Sequence, residues 1–404
     1  MRRLVILGCC LVACGSEPAT TDVGTSGTTS TGTTSETSGE VDTTAVPTSM
    51  PEETGTTGEV VTTGDAGTTG TTGTTGTSTT GDTSTDEATT GEELPPVKPR
   101  GLVNYVTGEP ADAVVRTSGP ALIVMGGGTD VDAAFTWQLQ YMQGGDVVVL
   151  RTSGADGYND YLFTDIGGVD SVETLMVTSE ALAQDPYVAW TIAHAEAVFM
   201  AGGDQATYLN NWKDTAVEDA LHEVWARGGV VGGTSAGTAV LSEFVYAAYN
   251  DSVIEDEALL DPYNQYMTFE RDFLALAPLQ GVITDTHFTQ RRRLCRLIGF
   301  VARIVADGWG EPVLGIGVDE QTALVVGPDG VGSVLGAGGV HLLHSAGTPQ
   351  QCAPGLTLEY ADLDHYTLKA GDSVQLPAGV PEGVQAEKLS ASMGALDPAY
   401  NCVK

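Results

Sequence analysis

Five short apolar runs, each closing on glycines or small polar residues, constrain this chain more than anything else in it. They are ALIVMGGG (121–128), DVVVLRTSG (146–154), VETLMVTS (172–179), AVFMAGG (197–203) and GVVGGTSAG (229–237). Each has the length of a buried strand, and the segments between them have helical periodicity. In 207–227, for example, Tyr208, Leu209, Trp212, Val217, Leu221, Val224 and Trp225 form one apolar stripe. Strands alternating with helices predict an α/β fold, a doubly wound and mostly parallel sheet flanked by helices.

Further along, 250–268 is polar and acidic without a clear period, an excursion loop near the active face. Residues 281–288 (GVITDTHF) read as a strand, 289–308 as a helix and 312–327 as two strands joined by a turn. From 328 the chain is Gly-rich and strand-like, a β-rich C-terminal tail. The folded domain is therefore expected over 98–404, with its core at 120–327 and its tail at 328–404.

The first hundred residues obey other rules. Residues 14–97 are mostly Thr, Gly, Ser and acids, without a single Lys or Arg. Such a segment cannot repay the entropy of folding and reads as a disordered tether. Its reach is roughly 50 Å, from about 5 to 6 Å times the square root of its length. Before it, 1–13 has the charged-then-apolar layout of a secretory signal. Leu11-Val12-Ala13-Cys14 resembles the lipobox of bacterial lipoproteins, which would make Cys14 the lipidated residue; an ordinary signal peptide cut nearby is the alternative. Either reading has the protein exported, and the lipoprotein reading places it at the bacterial cell envelope, on the outer membrane or cell surface.

The formal charge is −36, from 53 acids against 17 bases. That balance argues against nucleic acid or an anionic membrane surface as partner, and leaves the lipid as the sole expected membrane contact. Arg291, Arg292, Arg293 and Arg296 are a local exception. Of six cysteines, Cys9 and Cys10 leave with the signal and Cys14 is spoken for. Among Cys295, Cys352 and Cys402, a Cys352–Cys402 bridge would tie down the C-terminus. No CxxC or His-x-x-x-His spacing suggests a metal site, and no cofactor is expected.

Chemistry concentrates at the strand ends, where open parallel sheets bind ligands. Gly233-Thr234-Ser235-Ala236-Gly237 matches G-x-S-x-G, a strand-to-helix turn that can push the Ser235 hydroxyl outward. A serine nucleophile needs a base, and His287 in DTHF, just after a strand, is the best of six histidines. His194 and His222 sit in helical stretches, and His341, His344 and His365 lie in the tail beside no motif. Glu320 can fix the imidazole, and Asp319 is the competing acceptor; strand alternation sends the two to opposite faces. The order Ser, His, Glu is not that of an α/β-hydrolase. Gly203, in GGDQ, and Ala236 could offer backbone N–H groups to a developing oxyanion.

FMAGGDQATYL, GGTSAG, DTHFTQRRRLCRL and GIGVDEQTALVV, in this order, resemble cyanophycinase and its relatives, peptidase family S51. The resemblance covers roughly 120–327 and implies a class I glutamine-amidotransferase-like fold. It implies Ser235 as nucleophile, His287 as base and Glu320 as its partner. Substrate contacts would fall on Gln205, Asp285, Arg291, Arg293 and Arg296. Family members hydrolyse cyanophycin, a poly-aspartate carrying arginine on its side chains, to β-aspartyl-arginine dipeptides, and wider relatives cleave after an N-terminal aspartate. Arginine forks suit such carboxylate-bearing substrates. The family typically reads Asp-Gln-His-Phe where this chain has Thr286, which opens the question of substrate. A peptide or cyanophycin-like polymer is the expected partner, with a homodimer left open. A catalytically silent binding lipoprotein, or an amidase for other amides, are the competing readings.

Overall fold

The structure, a computed structural model, describes residues 94–254 and 256–402. The signal at 1–13, Cys14 and the tether up to residue 93 lie outside the described residues.

The strands form two sheets. The first has the order β1 (Val103–Gly108), β4 (Ser171–Met176), β3 (Val147–Arg151), β5 (Ala197–Met200), β6 (Val230–Thr234), β2 (Ala121–Met125), β11 (Thr322–Val326), β12 (Val331–Gly336) and β15 (Ser373–Gln375). Its five central strands, β4-β3-β5-β6-β2, run parallel, and these are the five apolar runs of the sequence. Every residue of β2, β5 and β6 is buried, as expected of strands covered on both faces. The α/β class is thus the one expected, and the β-rich C-terminal region is present as well.

The second sheet was not foreseen. It runs β17 (Ala395–Asp397), β16 (Glu387–Ser392), β14 (Tyr360–Lys369), β13 (Gly339–His344), β10 (Leu314–Val318), β9 (Val282–Asp285), β7 (Phe244–Tyr246) and β8 (Phe269–Arg271). Most of its pairings are antiparallel, with β9 parallel to both β10 and β7. The two strands read from 312–327 exist, but they do not pair with each other. The chain leaves the second sheet at Val318 and enters the first at Thr322, so residues 319–321 cross between sheets.

Two helix readings are corrected. The stripe over 207–227 belongs to two helices, Gln205–Trp212 and Ala216–Ala226. Between them Asp214 adopts a positive φ of 59°, and the Thr215 hydroxyl donates to the Trp212 carbonyl at 2.5 Å. A left-handed residue ends a helix while leaving the apolar spacing almost undisturbed. The helix expected at 289–308 starts later, at Leu294–Ala306, because the Thr289 N–H is taken by the Asp319 carboxylate at 2.8 Å and Arg292 has φ 56°. Leu297, Ile298, Phe300 and Val301 on that helix are wholly buried against the second sheet.

The disulfide also differs from expectation. Cys402 is bonded to Cys295, with Cα atoms 5.7 Å apart, and Cys352 is free. Cys295 lies in the first turn of Leu294–Ala306, a helix the sequence reading left unconnected to the C-terminus. Burial pushes the Cys352 thiol up to about 11, a partly buried thiol packed against the core of the second sheet. The cross-link spans 107 residues of sequence. Cys402→Ser is expected to lower the unfolding free energy by about 2–5 kcal/mol, read from denaturant melts. Non-reducing peptide mapping should recover the 295–402 link with Cys352 alkylated.

Candidate active site

Ser235 stands between β6 and a one-turn helix, Ala236–Ala239. Its backbone is at φ 53° and ψ −116°, a conformation that costs about 1–3 kcal/mol in a residue with a Cβ. Close backbone packing holds it there. A Cβ on Gly233 would lie 2.5 Å from the Gly237 carbonyl carbon, and one on Gly237 would run into the Met200 carbonyl that ends β5. On the other side, the Ser235 N–H donates to the Met125 carbonyl at 3.2 Å, and the Thr238 hydroxyl accepts the Met125 N–H at 3.0 Å. The elbow is fastened to both neighbouring strands, which explains why the run from 232 to 237 is so small-residue rich.

His287 arrives from the second sheet, just after β9. It too has a positive φ, 47°, and its N–H donates to the Gly126 carbonyl at 2.7 Å. Its Nε2 is 2.8 Å from Ser235 Oγ, and its Nδ1 is 2.6 Å from Glu320 Oε1. Glu320 sits on the 319–321 crossing, where its own N–H donates to Gln290 Oε1 at 2.9 Å. Three side chains from two sheets therefore meet in one line. Asp319 takes no part in it: its two oxygens accept the N–H groups of Thr289 and Gly339, each at 2.8 Å.

The glycines at 126–128 were read only as a strand ending, and they prove to be the back wall of this line. Gly127 has φ +92°, and a Cβ there would sit 2.5 Å from the His287 ring. The Gly127 carbonyl also accepts the Gln321 N–H at 2.9 Å. Three consecutive glycines after a buried strand were the available signal. Burial pushes the His287 imidazole below its ordinary 6.5; Arg291 and Arg293 push the same way, and Glu320 opposes them. The ring is thus held neutral, the form that can accept a proton.

A cavity of about 430 Å³ opens beside Ser235. Gly203, Ala236 and Gln205 line it, as do Asp285, Arg291, Arg293 and Arg296. Ala236 is the first residue of its helix, so its N–H has no intrahelical acceptor. Gln205 Nε2 donates to the Tyr246 carbonyl at 3.4 Å. Asp285 is buried, and Arg296 grips it with a fork, Nε to Oδ2 at 2.7 Å and Nη2 to Oδ1 at 2.6 Å. Arg293 Nη1 donates to the same Oδ1 at 3.3 Å. Burial alone would raise the Asp285 carboxyl, but the two guanidinium groups outweigh it and hold it below the usual carboxylate range. Arg296 also reaches Ser252 Oγ at 2.9 Å and packs over the Tyr246 ring, two wall residues that no motif advertised. Arg291 differs from its neighbours: its side chain makes no hydrogen bond or ion pair among the described residues.

Together the α/β fold and the Ser–His–Glu line describe the layout of a serine hydrolase. The comparisons say what the chain is similar to. Residues 159–333 match the model described as Peptidase family S51, as the four motifs led us to expect. The cyanophycinase of Synechococcus elongatus is 33% identical over 187 residues, 46% of this chain and 52% of that one. That of Trichormus variabilis (strain ATCC 29413 / PCC 7937) is 31% identical over 178 residues, 44% and 54% of the two chains. The chain thus spans about half the length of the curated relatives it matches. A solved peptidase from an acI-B1 Actinobacterium is 18% identical, with a TM-score of 0.44, covering 65% of this chain and 99% of that one.

Because burial and the flanking arginines depress it, the His287 imidazole is expected to titrate below 6.5. Glu320→Gln, which removes the opposing carboxylate, should lower that midpoint further. Ring-proton NMR titration of both proteins checks the sign.

Proposed function

We propose that this protein is an exported serine exopeptidase of cyanophycinase type, hydrolysing cyanophycin or related aspartyl and isoaspartyl peptides through Ser235, His287 and Glu320. The observation that carries the reading is the unbroken contact from Ser235 Oγ to His287 Nε2 and from His287 Nδ1 to Glu320 Oε1, at 2.8 and 2.6 Å.

In this mechanism Ser235 Oγ attacks the scissile carbonyl while its proton passes to His287 Nε2. Glu320 accepts the Nδ1–H and stabilises the imidazolium that forms. The carbonyl oxygen becomes an oxyanion, held by the N–H groups of Gly203 and Ala236. Collapse of the tetrahedral intermediate breaks the C–N bond, and His287 returns its proton to the departing amine. Water then enters, gives a proton to His287 and attacks the acyl carbon; collapse of the second tetrahedral intermediate breaks the C–Oγ bond, His287 returns its proton to Ser235 Oγ, and the acyl group leaves as a carboxylic acid. The depressed basicity of His287 keeps it neutral and ready at the start of each half-cycle.

Arg291 is the guanidinium available for a substrate carboxylate, because Arg293 and Arg296 are engaged with Asp285. Arg293 and Arg296 then act mainly by holding the cavity floor in shape. Thr286 lines the cavity at the position where the resemblance to cyanophycinases implies a glutamine, so on this reading the chain attached to the scissile bond has more room here. For location, Leu11-Val12-Ala13-Cys14 supports lipidation at Cys14, with the Thr- and Gly-rich tether at 14–97 holding the enzyme off the membrane surface.

Purified protein should release dipeptide from cyanophycin, or the amino-terminal residue from isoaspartyl or aspartyl peptides. Ser235→Ala and His287→Ala should each lower kcat by about 10⁴-fold or more, with Glu320→Gln somewhat milder. Equal product release by wild type and Ser235→Ala would end this reading. Arg291→Ala should raise KM by about 10-fold or more on carboxylate-bearing substrates, with a smaller effect on kcat.

A further inference from the structure

Beneath the 319–321 crossing lies a line of polar side chains that the mechanism above does not use. It starts at Asp319. Oδ1 accepts the N–H of Thr289, two residues past His287, and Oδ2 accepts the N–H of Gly339, the first residue of β13. One carboxylate therefore clips the histidine loop to the crossing that carries Glu320. Burial alone would raise Asp319; the facing His341 imidazole and the hydrogen bond from Thr289 outweigh it and hold the group well below the usual carboxylate range.

His341, on β13, stands behind that clip. Its Nε2 is 3.6 Å from Asp319 Oδ1 and 3.3 Å from the Thr289 hydroxyl. Its ring meets Phe288, the residue directly after His287, with centroids 4.8 Å apart. On the far side its Nδ1 is 3.2 Å from His365 Nε2 and 3.3 Å from the Thr367 hydroxyl, both on β14, and the two imidazoles lie parallel within 4°. His365 Nδ1 in turn lies 3.6 Å from Glu387 on β16, at the surface. Burial and the neighbouring ring push His365 down to about 4, which favours its neutral form. The His341 tautomer that carries its proton on Nε2 presents an N–H to Asp319 and Thr289, while its Nδ1 accepts from the Thr367 hydroxyl.

We infer that His341 is a positioning residue for the Ser235–His287–Glu320 line: it orients Asp319, and Asp319 fixes the distance between the histidine loop and the Glu320 crossing. This rests on the serine-peptidase reading of the site. His341 and His365 lie beyond residue 333, outside the segment that matches the peptidase family. The C-terminal sheet is on this account part of the catalytic support and not an appendage. The physical reason is tolerance: a misplacement of about 1 Å in such a line can cost about 100-fold in rate, and the C-terminal side of His287 is anchored by two successive N–H groups, Phe288 to the Val318 carbonyl at 3.2 Å and Thr289 to the Asp319 carboxylate at 2.8 Å.

Two substitutions separate positioning from packing. His341→Phe keeps a flat ring between Phe288 and His365 but offers no N–H. His341→Gln puts an amide N–H where Nε2 stood. The primary readout is the rate at which a small serine-directed phosphonylating reagent labels Ser235, which requires no knowledge of the natural substrate. Thermal melting of each variant reports on folding. His341→Phe is expected to label about 10-fold more slowly than wild type while His341→Gln recovers most of the rate, the two variants melting within a few degrees of each other. On any cleaved peptide the Phe variant should lose kcat with KM little changed. Equal labelling of wild type and His341→Phe would overturn the inference, as would equal slowing in Phe and Gln variants. If wild-type Ser235 is not labelled at all while the protein is folded, the serine-peptidase reading itself is the one that fails.

Discussion

The residues at 319–321 take the chain from one sheet to the other, and the site depends on how that passage is tied down. Glu320 can reach His287 only if the crossing lies against the end of β2, and the Gln321 N–H to the Gly127 carbonyl, at 2.9 Å, sets that approach. The Asp319 carboxylate binds the same crossing to Thr289 and Gly339. Buried carboxylates that accept two backbone N–H groups are stabilised as anions and hold their partners at charge-assisted distances. Adjacent residues of an extended chain face opposite ways, so one short crossing supplies the carboxylate that meets His287 on one side and a structural clip on the other.

Ser235 and His287 share a less common property, a positive φ without being glycine. Strain of this kind persists only where the surroundings over-determine it. At Ser235 the surroundings are the bare backbones of β2, β5 and the following helix; at His287 they are the Gly126 carbonyl and the glycine wall behind the ring. The two strained residues come from different sheets and point toward each other across a 2.8 Å contact. The rigidity of each elbow removes the backbone freedom that would otherwise blur that distance.

Much of this was legible in the sequence, for identifiable reasons. The five parallel strands were visible because burial on both faces makes them largely apolar, and their starts fall within a residue of the observed ones. Ser235, His287 and Glu320 were visible because each stands at a strand end inside a recognisable motif, and the structure brings the three together. The second sheet was hidden: β7 and β8 are three residues long, and β14 alternates without a run that stands out. The Cys295–Cys402 link was hidden because pairing depends on which helix the C-terminus returns to. His341 and His365 carried no signal at all. They are 24 positions apart and become neighbours only through the register that sets His341 opposite Thr367 and Leu343 opposite His365.

That same returning C-terminus has a dynamic consequence. Cys402 is anchored in the first turn of the helix whose next residue, Arg296, holds Asp285 at the cavity floor. A floor built on loops would breathe with small local openings. Here any outward shift of the helix start must carry the last residues of the second sheet with it, so the smallest unit able to open is far larger than the pocket. Amide exchange at the floor should then follow the slow, near-global class and not the fast local one, and the cavity presents a nearly fixed shape to whatever enters it.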